Sequence, residues 1–231
     1  MNDQEVTEAV VLKRINYAES DRVITLLSKD VGKLTAIAKG SRKLKSKLAG
    51  GIEPFSINQI TLRRSNSGGL WLVVSSRNLT AFRNISDDYQ KLEYASEIIK
   101  TINKVVEDDQ GSELFSDLCS YLKSLNNPKI NSKLVQMWIY FRLLKISGNL
   151  PNMKTDAEGK KLEKDKSYNF IVQDGVLQKT DLTEVEFKEN EIKLWRLIIS
   201  LELADLLKVS GLSDGAEKTF DLSRDFFRYH I

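Results

Sequence analysis

Residues 31–52 read VGKLTAIAKGSRKLKSKLAGGI, with six cations (Lys33, Lys39, Arg42, Lys43, Lys45 and Lys47) and no acid. The first part alternates at the two-residue period of a strand, with Leu34, Ala36 and Ala38 on one face and Lys33, Thr35, Ile37 and Lys39 on the other. After Gly40 the pattern becomes a basic loop or short helix that ends at Gly50-Gly51. A strand that carries lysines to a surface and then turns suits a polyanion, while a solvated basic loop would have the same composition.

Working outward, Val6–Ile15 reads as a first strand, centred on Val10, Val11 and Leu12 and ending in Lys13-Arg14. The polar turn Tyr17–Asp21 leads into a second strand, Arg22–Ser28, and Asp30-Val31-Gly32 makes a tight turn in which Gly32 supplies positive φ. Downstream, Pro54 opens a fourth strand, Phe55–Arg64, whose alternation slips between Ile57 and Ile60 and so predicts a bulge. Ser65–Gly69 reads as a hairpin loop, followed by a fifth strand from Leu70 through Ser76 or further. Five short strands with an extra element between the third and fourth predict a small closed barrel of the OB (oligonucleotide/oligosaccharide-binding) type; a flat sandwich fits the same strand count.

From Ser86 the period changes from two to 3.6. Ser86 is the expected N-cap, with Asp87 and Asp88 in the first turn, and Leu92 to Val106 carry one apolar stripe. Leu114–Leu125 and Leu134–Leu144 carry two more, so residues 87–148 are expected to form one bundle. Residues 149–181 are polar and lysine-rich, with a hairpin at Tyr168–Val172, Asp174-Gly175 and Val176–Gln178. Ile192–Leu207 is apolar nearly all round, as a buried helix would be, and Ser213 is placed to cap a last helix. The fold class expected is α+β: an OB barrel over residues 1–84, then a mainly helical domain over 85–231 with a small hairpin insert around 150–181.

Charge is segregated. Residues 1–86 hold 14 Lys and Arg against 7 Asp and Glu, the remainder 21 against 25, and no acid lies between Glu53 and Asp87. Such an imbalance points to an anionic partner for the first part. The barrel cations are Arg14, Lys33, Lys39, Arg42, Lys43, Lys45, Lys47, Arg63, Arg64 and Arg77, and they are the candidate contacts to a phosphate backbone, the DNA-binding candidates if that polyanion is DNA. Barrel aromatics are few: Tyr17, Phe55, Trp71 and Phe82, with Phe55 read as core and Trp71 as core or stacking platform. Backbone-led binding without base readout is therefore expected.

Little else suggests chemistry. His230 is one residue from the end of the sequence, and Cys119 sits at an apolar helical position. Gly32-Lys33 resembles the end of a phosphate loop, but Leu27 stands where its first glycine belongs and Leu34 where Ser or Thr belongs. No spacing matches a metal site, so no catalysis, cofactor or metal is expected. The sequence has no ~20-residue apolar run and begins without a signal-peptide layout, so a cytoplasmic protein that does not contact membrane is expected.

The order of residues over 10–55 resembles the N-terminal domain of the RecO family of recombination mediators. The resemblance rests on Tyr17-Ala18-Glu19-Ser20-Asp21-Arg22, Gly32-Lys33-Leu34, Ala38-Lys39-Gly40-Ser41-Arg42, Ser46-Lys47-Leu48 and Glu53-Pro54-Phe55. It implies a DNA repair and recombination protein, not an enzyme, that binds single- and double-stranded DNA and anneals complementary strands. It also implies partnership with RecR, contact with the C-terminal tail of single-stranded-DNA-binding protein, and indirect help in loading RecA. By position, Arg14, Lys39, Arg42, Lys43 and Lys47 take the DNA-binding role most directly. Many family members carry a four-cysteine zinc module in the C-terminal half; here Thr155, Glu158, Gln178 and Asp181 stand in those places, a poor zinc set. The competing reading is a non-catalytic adaptor whose barrel is structural or RNA-binding; a weaker third is an enzyme with an unrecognised site.

Overall fold

The computed structural model describes residues 4–64, 70–181 and 187–231. They form two compact units, residues 1–126 and 127–231. In the first, strands β1 (Gln4–Tyr17), β2 (Asp21–Ser28), β3 (Gly32–Ala38), β4 (Ser56–Arg64) and β5 (Trp71–Ala81) close into a barrel of order β1-β2-β3-β5-β4. β3 and β5 pair in parallel and the other neighbours antiparallel, so the closed OB-type barrel is what forms and the sandwich is not. Its interior holds Ala9, Val11, Ile24, Leu26, Leu34, Ala36, Ala38, Ile60, Leu62, Trp71 and Val73, and Ile52 joins the same core from outside the strands. The alternation read in residues 33–39 thus separates core from outer face as expected. The hairpin loop expected at Ser65–Gly69 lies outside the described residues.

One register shift falls inside the window of the sequence slip, Ile57 to Ile60, but its extra residue is on the partner strand. The β4–β5 register skips once between Ile57 and Asn58 and again between Thr61 and Leu62, each time with the extra residue (Leu79, then Val74) on β5. A further skip between Val11 and Lys13 leaves Leu12 as an extra residue on β1. β1 pairs with β4 through its first half and with β2 through its second, so it must bend, and a bulge is how a strand bends.

Helices α1 (Arg83–Asp87), α2 (Tyr89–Val105) and α3 (Ser112–Leu125) complete the first unit. The N-cap of α2 is Asp88, whose carboxylate accepts from Lys91 N at 3.1 Å, two residues beyond the expected Ser86. α2 packs on β1 and α3 on β1, β2 and β3. Their apolar stripes therefore cover outward-facing barrel residues, chiefly Val10, Leu12 and Leu27, instead of building the three-helix bundle expected over 87–148. Lys33 fixes this junction. Its ammonium donates to the carbonyls of Val106 and Asn103 at the C-terminal end of α2, the latter at 3.2 Å, and lies 3.5 Å from the Asp108 carboxylate. Lys33 N donates to Gln110 O at 2.8 Å, and Asp109 N returns a bond to Lys33 O at 2.7 Å.

In the second unit α4 (Ser132–Ile146) packs on α5 (Glu189–Ser200) and α7 (Ser213–His230). The apolar run expected as one helix over Ile192–Leu207 is broken, because Leu201 is extended and α6 (Leu203–Leu206) starts afresh. Leu201 O is free to accept from Trp138 Nε1 at 3.0 Å. Ser213 is the first helical residue of α7, not its cap. The hairpin forms as β6 (Ser167–Ile171) and β7 (Val176–Thr180). Phe170 of this hairpin packs edge-on to Trp195 and Phe226, at 5.0 and 5.2 Å between ring centroids. Side chains cap the preceding turn: Asp156 accepts from Glu158 N and Lys160 N at 3.0 and 2.8 Å, and Asn152 from Lys154 N and Thr155 N at 2.9 and 3.2 Å.

Three outcomes test this packing. Gly32 has φ +80°, and a Cβ there would stand 2.4 Å from Gln110 O, so Gly32→Ala is expected to lower unfolding free energy by roughly 2–4 kcal/mol in a urea titration. Lys33→Met, which leaves the α2 carbonyls uncapped, is expected to cost about 1–2 kcal/mol in the same assay. Burial pushes the Cys119 thiol up to about 12, with nearby Lys123 opposing and Glu8 adding to the rise. Little thiolate then exists at pH 8, so a water-soluble disulfide reagent should react with the folded protein far more slowly than with the denatured chain.

Candidate nucleic-acid interface

The basic segment after β3 is latched at both ends. At its start the Asp21 carboxylate, on the first residue of β2, accepts from Gly40 N at 2.7 Å. Arg42 N donates to Ser20 O at 2.9 Å, and the Arg42 guanidinium reaches back to Ala18 O at 3.1 Å. Two turns follow, closed by Lys43 N to Gly40 O at 3.1 Å and Ser46 N to Lys43 O at 2.9 Å. At its far end Leu48 packs on the barrel core and its carbonyl accepts from Ser76 Oγ at 3.0 Å, after which a 3-10 turn, Ala49–Gly51, leads to buried Ile52. Held between these anchors, Lys39, Arg42, Lys43, Lys45 and Lys47 all stand in solvent, and so does Leu44, which is fully exposed. No acid intervenes between Asp30 and Glu53. The result is an ordered cationic loop, pre-positioned without the usual entropic cost of gathering lysines on a mobile one.

The other candidates are dispersed. Lys33 is spent on the helix carbonyls described above. Arg14 pairs with Glu53. Arg64 lies over the ring of Trp71, 4.1 Å from its centroid, and the ring is 2% exposed, so Trp71 is core with a guanidinium lid and offers no face to a base. Arg63 and Arg77 are exposed and point outward from β4 and β5, Arg63 opposite Leu72 and Arg77 opposite Gln59, whose other neighbour is Glu8. Of the barrel aromatics, Phe82 is buried, Phe55 is half-buried, and Tyr17 is 55% exposed at the end of β1.

One cation escaped sequence reasoning. Because Leu12 is an extra residue, the two faces of β1 exchange beyond it: Arg14 stands opposite core residue Ile24, while Lys13 stands opposite Thr25 on the outer face and is exposed. The signal was present in Val10-Val11-Leu12, three consecutive apolar residues in a strand that should alternate.

His230 Nε2 is 3.1 Å from Val172 O, its ring packed on Phe226. Thr155, Glu158, Gln178 and Asp181 do not suit a zinc ion: the Thr155 hydroxyl accepts from Asn152 at 2.7 Å, Glu158 pairs with Lys160 at 2.6 Å, and Gln178 brings a neutral amide. Among the described residues no group of three or more His, Cys, Asp or Glu side chains could hold a metal ion, and no helix is long and apolar enough to cross a membrane.

Comparison with known proteins agrees across the chain. Residues 1–79 match the family model "Recombination protein O N terminal" and residues 86–231 match "Recombination protein O C terminal". Over 148 residues the chain is 31% identical to a DNA repair protein RecO from Alkaliphilus metalliredigens, a match covering 64% of this chain and 59% of that one. A RecO from Thermoanaerobacter sp. strain X514 is 34% identical over 149 residues, with the same two coverages. These matches span less than two thirds of either relative's length. With a RecO from Thermodesulfovibrio yellowstonii, 28% identity extends over 233 residues, 97% of this chain and 91% of the relative. With both halves of the sequence matched by models of one family, the chain belongs to the recombination protein O (RecO) family of DNA repair proteins.

Proposed function

We propose that this chain is a non-catalytic DNA-binding and annealing protein of recombinational repair, and that the latched loop Lys39–Lys47 is where its barrel grips the phosphate backbone. The observation that carries this reading is the double anchoring of an acid-free loop with five exposed cations. A fixed array of point charges suits the regular spacing of phosphates in single and double strands alike and reads no sequence. Arg63 and Arg77 can extend the contact along the outer face of β4 and β5. Annealing follows if two complementary strands are held with their charge neutralised and their bases unpaired. The family resemblance adds RecR, the acidic tail of single-stranded-DNA-binding protein and, indirectly, RecA as partners, and the cytoplasm is the place of action expected from the sequence.

A salt series with a fluorescent single-stranded oligonucleotide tests the reading. Each neutralised phosphate contributes roughly −0.7 to the log–log slope, so five engaged cations give about −3.5. In the variant Lys43→Glu, Lys45→Glu, Lys47→Glu the slope should flatten by about 2 and strand annealing should fall at least roughly tenfold. Unchanged slope and annealing would move the DNA site off this loop and favour the adaptor reading.

A further inference from the structure

Strand register lays the outer face of the barrel out in rows. The first, Ile57–Val10–Leu27–Lys33, has α2 and α3 to cover it, and its three apolar members are at most 4% exposed. The next is Lys13–Thr25–Thr35. The one after that is again apolar and crosses four strands: Ile15 opposite Val23, Val23 opposite Ile37, Ile37 opposite Leu72, with Arg63 opposite Leu72 at its end. This second apolar row is open to solvent: Ile15 is 50% exposed and Val23, Ile37 and Leu72 are partly exposed. Beyond it come Tyr17 and Asp21, opposite each other, and Lys39, which continues the outward alternation of β3 into the latched loop.

A contiguous apolar strip left open on a small barrel marks a contact surface. Its border says what for. Lys13 lies on one side, Lys39 on the other and Arg63 at one end, while the acid in these rows, Asp21, has its carboxylate committed to Gly40 N. Cations framing apolar ground fit a polyanion with apolar faces of its own. A duplex hides its base faces in the stack, whereas an unpaired strand offers them. We propose that the row Ile15–Val23–Ile37–Leu72 contacts the bases of an unpaired strand whose phosphates run along Lys13, Arg63 and the loop, and that it gives this protein a preference for single over double strands. Tyr17, half exposed beside the row, is placed to stack on the next base. The inference rests on the DNA-binding reading above.

The test compares a thymidine oligonucleotide, an abasic oligonucleotide of equal length and a duplex, each in a salt series with the full chain. Wild-type protein should bind the thymidine strand tighter than the abasic one, with equal slopes. Ile15→Thr and Ile37→Thr keep β-branched residues on the strands, so the melting temperature should hold. Together they should weaken thymidine-strand binding roughly three- to tenfold, leaving the slope, the abasic strand and the duplex unaffected. Equal wild-type affinity for thymidine and abasic strands overturns the proposal while sparing the loop reading. So does a variant loss shared by all three ligands, or a change in sedimentation showing that the row joins two copies of the chain. Absence of salt-dependent binding to any of them sinks the DNA-binding reading itself.

Discussion

Barrel closure depends on one strand serving two neighbours. β1 gives its first half to β4 and its second to β2, and without both pairings the sheet would end in two open edges. A strand cannot do this while flat. The bulge at Leu12 supplies the bend, and in doing so it reverses which side chains look outward for the rest of β1. The identity of the surface is thus a by-product of closure: Lys13, Ile15 and Tyr17 are displayed because the strand had to turn, and Arg14 is turned to the side of Ile24 and Glu53 for the same reason.

Two different solutions hold the two units. In the first, apolar outer rows are covered by helices, and the polar debt at the join is met by one lysine and a short exchange of main-chain bonds with residues 108–110. In the second, a cluster of aromatic rings packs among aliphatic side chains, and buried indole N–H groups find acceptors, Thr219 Oγ1 for Trp195 and Leu201 O for Trp138. The turn before the hairpin is held by Asn152 and Asp156 carbonyl and carboxylate oxygens that collect main-chain N–H groups. That is a route to a rigid knuckle from ordinary side chains.

The barrel was largely legible in the sequence because period two is a local signal and most of its strands keep it: residues 33–39, the turn at Gly32 and the change of period near residue 86 all say what the chain does. What was not legible depends on partners far away in sequence. The slip read in β4 is taken up by extra residues in β5, since register is a property of the pair. The stripes of α2 and α3 specify an apolar partner without saying whether it is a helix or the back of a barrel. Ser86 and Asp88 are both good caps, and the chain's direction out of α1 decides for Asp88. Among the candidate cations, composition could count charges but could not tell that Lys33 closes a helix, that Arg64 lids a tryptophan, or that a neighbouring lysine faces the other way.

The row Ile57–Val10–Leu27 beneath α2 and α3 also bears on how such a protein can change over generations. The point where the strand pattern gives way to the helical one looks like a seam at which an ancestral gene could be cut and a different C-terminal partner spliced on. Physically a cut there would not be clean. A barrel severed after β5 would carry a bare aliphatic wall and a lysine with no carbonyls to meet, because barrel and first helices pack as one compact unit, 1–126.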